Sequence, residues 1–70
     1  MEISFTQTVY IDEDDIENIL SKDSRITREA LASGLKKWLQ ENFEYAVNDG
    51  VLELKEYCDQ IVKAALEELE

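Results

Sequence analysis

Between Thr27 and Val47 the chain reads TREALASGLKKWLQENFEYAV, and apolar residues fall at Leu31, Leu35, Trp38, Leu39, Phe43 and Val47. That spacing lines one face of an α-helix, predicted over about 28–47. The segment is the longest periodic run in the chain. It holds the only Trp and one of the two Phe, so the remaining elements must pack around it. Thr27 is suited to cap its N-terminus. Ile26 and Leu31 flank that cap at the spacing of a hydrophobic staple. Ala30 and Gly34 sit four residues apart with Ser33 beside them. Gly costs about 1 kcal/mol against Ala inside a helix, so a close backbone crossing is expected there, by the strand or by the last helix.

The chain has 70 residues, which makes one domain, 1–70. A domain of this size buries only about 60% of its unfolded surface. Its core is expected to supply no more than roughly 3–5 kcal/mol. One Cys excludes an internal disulfide, and the lack of His argues against a metal centre. No cofactor motif is present. The 44% hydrophobic fraction is that of a globular chain, with no apolar run of membrane-spanning length. A lone thiol fits the cytoplasm.

Residues 2–11, EISFTQTVYI, alternate. Ile3, Phe5, Val9 and Ile11 fall on one side, with Glu2, Ser4, Thr6, Thr8 and Tyr10 on the other. This predicts an N-terminal β-strand, which needs a ladder partner from the chain or from another molecule. Asp12 then caps a short helix, predicted over about 13–20, with Glu13, Asp14 and Asp15 at its positive end. The last helix is predicted over about 53–69 from the stripe Leu54, Tyr57, Cys58, Ile61, Val62, Ala65 and Leu69, with a frayed acidic end at Glu67, Glu68 and Glu70. The fold class is therefore α+β, a strand followed by three helices. Gly50 is expected to cap the long helix near Asn48-Asp49-Gly50. A hairpin over 43–54 is the rival for that segment, because Phe43, Tyr45 and Val47 also alternate.

Seventeen acids against seven bases give a net charge of −10. Residues 1–17 hold six acids and no base. Residues 18–40 form a basic island of Lys22, Arg25, Arg28, Lys36 and Lys37 around Asp23 and Glu29. The remainder is acidic again. This balance opposes direct binding to nucleic acid, which needs cations against phosphate, and to anionic membrane. It suits a protein partner with a basic surface.

The acidic cluster Asp12–Glu17 fails as a calcium loop, because Ile16 and Glu17 stand where an EF-hand needs a ligand and Gly. Cys58 lacks any His to activate it and falls in an apolar stripe, which makes it a buried structural thiol. Carboxylate pairs are expected by chance in so acidic a chain, and little room is expected for a cleft. The missing constellations argue against an enzyme. Most aromatics are expected in the core, including Tyr45 and Tyr57. Tyr10, on the polar strand side, is the exception and suits an interface. The order strand–helix–helix is also that of ribbon–helix–helix DNA-binding dimers, but no Arg or Lys lies on the outward strand positions.

Three functions are consistent with these features. The first is a small acidic interaction module that binds and regulates or inhibits a larger protein. Its contact residues would be Tyr10, Asp12, Asp14, Asp15, Glu17, Glu53, Glu56 and Asp59. The second is an acidic DNA mimic of the anti-restriction or anti-CRISPR kind. The third is an accessory or transcriptional homodimer paired through residues 3–11.

Overall fold

The N-terminal alternation is a hairpin folded back on itself. The computed structural model describes residues 1–48 and 51–69. Strands β1 (Glu2–Ser4) and β2 (Thr8–Tyr10) run antiparallel, with Glu2 opposite Tyr10, Ile3 opposite Val9 and Ser4 opposite Thr8. Each residue meets one of its own parity. The odd-numbered apolar residues therefore stay on one face through the turn, and the sequence pattern reads as a single strand. Met1 and Ile11 extend the ladder, Ile11 N–H donating to the Met1 carbonyl at 2.7 Å. The turn Phe5–Gln7 contains none of Gly, Asn, Asp or Pro, so it carries no sequence signal. It closes with Phe5 N–H donating to the Gln7 carbonyl at 2.8 Å.

Helix α1 (Glu13–Lys22) follows, capped as expected by Asp12, whose carboxylate accepts from Asp14 N–H at 2.9 Å. Helix α2 (Arg28–Ala46) starts at Thr27, whose hydroxyl oxygen accepts from Ala30 N–H at 3.1 Å. Ile26 and Leu31, on either side of that cap, are both buried. Strand β3 (Val47–Asn48) leaves α2 directly and pairs antiparallel with β4 (Val51–Leu52). The helical and hairpin readings of this segment thus each hold over part of it. Helical phase persists to Ala46, and the hairpin occupies only the residues beyond. The Asp49 and Gly50 positions of the expected glycine cap lie outside the described residues.

Strand β4 also pairs in parallel with β2, Tyr10 opposite Val51. The sheet order is β1-β2-β4-β3. The N-terminal strand thus finds its ladder partners within its own chain. A 3-10 turn, Leu54–Glu56, then leads to helix α3 (Cys58–Glu67). This helix is shorter than the 53–69 expected. Leu52 and Leu54 are both buried with exposed Glu53 between them. That is a period of two, and it delays the helix until Cys58. At its far end Glu68 and Leu69 turn with i→i+3 bonds to Ala65 and Leu66, and Glu70 lies outside the described residues.

One face of the sheet covers the helices, and its other face is open. Ile3, Val9 and Ile11 enter the core with Ile16, Ile19, Leu31, Leu35, Trp38, Leu39, Leu52, Leu54 and Ile61. The expected close crossing is between α2 and α3. A β-carbon on Gly34 would meet the Ala64 carbonyl carbon and the Ala65 nitrogen, each at 2.8 Å. Phe5 packs edge-on against Phe43, ring centres 5.9 Å apart, and Trp38 lies 5.2 Å from Tyr57. Tyr45 corrects the aromatic expectation. It is 76% exposed at the end of α2, where Ala46 takes the inward position. No helix among the described residues is long and apolar enough to cross a membrane.

Candidate protein-interaction surface

The open face of the sheet is built by period two. In β1, β2 and β4 the residues flanking each buried position are exposed: Glu2 and Ser4 around Ile3, Thr8 and Tyr10 around Val9, and Val51 beside Leu52. Pairing aligns Glu2, Tyr10 and Val51 in one row across three strands. Tyr10 is 60% exposed and Val51 48%, so the row presents a ring and an aliphatic group to solvent.

The parallel pairing has a second effect. Strands β2 and β4 run the same way, so the segments leaving them depart from the same end of the sheet. From β2 the chain enters Asp12 and α1. From β4 it enters Glu53, the 3-10 turn and α3. Tyr10–Val51 is the pair that joins the two strands, and Asp12 and Glu53 each follow it by two residues along their own segments. The two acidic segments, separated by some forty positions in sequence, are neighbours in space.

Asp12, Asp14, Glu17, Glu53, Glu56 and Asp59 are exposed on these segments, and Asp15 is half-buried. Of the eight residues selected from sequence, Tyr10 lies on the open sheet face, Asp12 and Glu53 follow the paired strands at the same end, and Asp15 faces the start of α3. Glu2 and Val51 were missed. The signal for Val51 was present in the alternation Val51-Leu52-Glu53-Leu54, whose odd members point outward.

Asp15 lines a groove of about 530 Å³ between α1 and the start of α3, together with Asn18, Ile19, Ser21, Lys22, Lys55 and Cys58. Packing three helices around a small sheet therefore leaves more room than the chain length suggests. The groove places a thiol near two ammonium groups and one carboxylate. The chain has no His to serve as a base there. Lys22 and Lys55 interrupt the acidic surface at this point. Among the described residues no three His, Cys, Asp or Glu side chains converge as a metal ion would require.

The basic island is largely spent on internal pairs. Arg25 binds Asp23 through two side-chain bonds, at 3.0 and 2.7 Å. That guanidinium is the main cause that lowers the Asp23 carboxyl to about 2, with the Arg25 N–H adding to it. Arg28 reaches both oxygens of Glu13, at 3.1 and 2.8 Å. Glu13 also receives the Met1 ammonium at 3.1 Å. The Arg28 bond, then the ammonium, holds its carboxyl below the ordinary value. Lys37 donates to Glu68 at 2.9 Å, which ties α2 to the end of α3 and raises the Lys37 ammonium. None of these pairs uses one of the eight selected residues. Exposed pairs of this kind contribute little stability, but they cancel charge where it would otherwise oppose the acidic segments.

No protein-family model, curated protein or solved structure matches this chain.

Proposed function

We propose that this protein is a small, non-enzymatic interaction module that binds a larger partner through a basic surface on that partner and thereby regulates or inhibits it. The observation that supports this reading is the parallel pairing of Tyr10 with Val51. It sends the acidic segments 12–17 and 53–59 off the same end of the sheet, next to a row that carries an exposed aromatic and an exposed aliphatic side chain. Complementary charge speeds encounter and selects the partner, while a desolvated aromatic anchor contributes most of the binding energy.

A DNA-mimic inhibitor is the second reading. The internal pairing of Arg25, Arg28 and Lys37 favours it, because these cations would otherwise spoil an acidic surface. Lys22 and Lys55 in the groove weigh against it, since a phosphate mimic needs an unbroken row of anions. A strand-paired homodimer is the third. Its side-chain basis is weaker, because Ile3, Val9 and Ile11 are committed to the core of their own chain. Pairing would have to use the outer edge of β1.

The test is capture of partners from host lysate by C-terminally tagged protein, with each captured protein challenged by duplex DNA and by salt. The module reading expects a partner that survives DNA and is lost when Asp14, Asp15 and Glu17 are each changed to Lys. Displacement by DNA would replace it with the mimic. Capture that ignores the triple variant would remove the acidic end from the contact.

A further inference from the structure

The open sheet face has a composition that selects among occupants. Its row carries Tyr10 and Val51 at the centre, with the Glu2 carboxylate paired across from Tyr10. Two residues further along the chain from Tyr10 and from Val51 come the exposed Asp12 and Glu53. Asp12 already gives one carboxylate oxygen to the Asp14 N–H, which leaves the other oxygen to accept from outside. A second copy of this chain is a poor occupant. Self-association would bring the Glu2, Asp12 and Glu53 carboxylates of two chains, each of net charge −10, into one interface, and like charges brought together there cost several kcal/mol. A purely apolar partner would bury these carboxylates unpaired.

Building on the interaction reading above, we propose that this face seats an arginine side chain from an extended basic segment of the partner, the guanidinium lying on the Tyr10 ring and bonding to the carboxylates of Asp12 and Glu53. Arginine fits better than lysine for two reasons. Its planar, weakly hydrated guanidinium stacks on an aromatic face, and its fork of donors serves two acceptors at once. Its methylene stem would cover Val51.

The test is titration of isotopically labelled protein with an oligo-arginine peptide and with an oligo-lysine peptide of equal length, read by backbone amide shifts. The expected result is saturable shifts centred on Tyr10, Asp12, Val51 and Glu53, with the arginine peptide binding about three- to fivefold tighter. Tyr10→Ala should abolish that preference, and Tyr10→Phe, which keeps the ring, should retain it. Equal affinity for the two peptides, an unchanged preference in Tyr10→Ala, or shifts spread over the distant acids Glu41, Glu44 and Glu67 would overturn the proposal. So would amide shifts at Tyr10 that depend on protein concentration alone, since a second copy would then cover the face. The broader interaction reading fails separately, if the captured partner ignores charge reversal at Asp14, Asp15 and Glu17.

Discussion

A β-carbon on Gly34 would stand 2.8 Å from the carbonyl carbon of Ala64, closer than two carbon atoms approach without displacement. The obstacle is backbone, not the tip of a flexible side chain, so α3 as a whole must move to make room. Gly34→Ala is predicted to destabilise the domain by about 1–3 kcal/mol, the cost of overpacking, even though Ala gains about 1 kcal/mol in helix propensity. In a domain of this size each kcal/mol lowers Tm by about 4–8 °C. Thermal melts check this, and a raised Tm in Gly34→Ala would show that the helices do not cross so closely.

The two helix caps separate folding from binding. Thr27 is not one of the candidate contact residues, and Thr27→Ala should cost about 1 kcal/mol with no effect on partner affinity. Asp12→Ala should cost a similar amount. Asp12→Asn retains a capping oxygen, so Tm should fall less than in Asp12→Ala, while affinity for a basic peptide drops in both. Chemical denaturation and peptide titration on the same samples test the pair. If Asp12→Asn binds as well as the parent, that carboxylate is a cap and nothing more.

The indole of Trp38 donates to the Gln60 side-chain oxygen at 3.2 Å, one polar contact at the edge of the α2–α3 core. Removing the acceptor in Gln60→Ala leaves a largely buried N–H unpaired and should cost about 1 kcal/mol. Gln60→Glu keeps an acceptor in place and should recover most of it. Trp38 is the only indole in the chain, so its fluorescence reports the change directly. Identical melts for the two variants would mean that water replaces the bond without loss.

Asp23 titrates low because the Arg25 side chain bonds to its carboxylate, and the folded value of about 2 lies below the ordinary 3.8. A depressed carboxyl stabilises the fold above the unfolded value and loses that contribution as pH falls through the folded one. The Asp23–Arg25 pair should therefore be intact at pH 5 and given up between about pH 4 and 2. Carboxyl-carbon NMR should show a midpoint near the lower limit, moving up toward the ordinary value in Arg25→Gln. An unmoved midpoint in that variant would assign the shift to the backbone N–H alone.

Much of the architecture was legible in residue order because it is set by local physics. The caps at Asp12 and Thr27 need only an oxygen near free N–H groups, and the structure makes both bonds. The phase from Leu31 to Phe43 demands a helix whatever packs on it. Gly34 announced a close crossing, and α3 supplies it. Other features had no local mark. The turn at Phe5–Gln7 lacks turn residues, and its even register preserves the alternation of one long strand. Tyr45 obeyed a strand-like pattern in a segment that is helical to Ala46, and it faces solvent.

The candidate surface divides along the same line. Exposure of Tyr10 follows from its place among Ser4, Thr6 and Thr8, and the acidity of residues 12–17 and 53–59 is plain in the residue order. Their convergence is not, because a parallel pair such as Tyr10 with Val51 joins strands by a crossover through two helices, with no local signal for its register. Side-chain period and capping chemistry act over a few residues, so the sequence by itself determined the elements and their buried faces. Which elements meet depends on how those faces cover one another in three dimensions. Only the tertiary structure decided that two distant acidic segments leave the same end of the sheet, next to an exposed tyrosine.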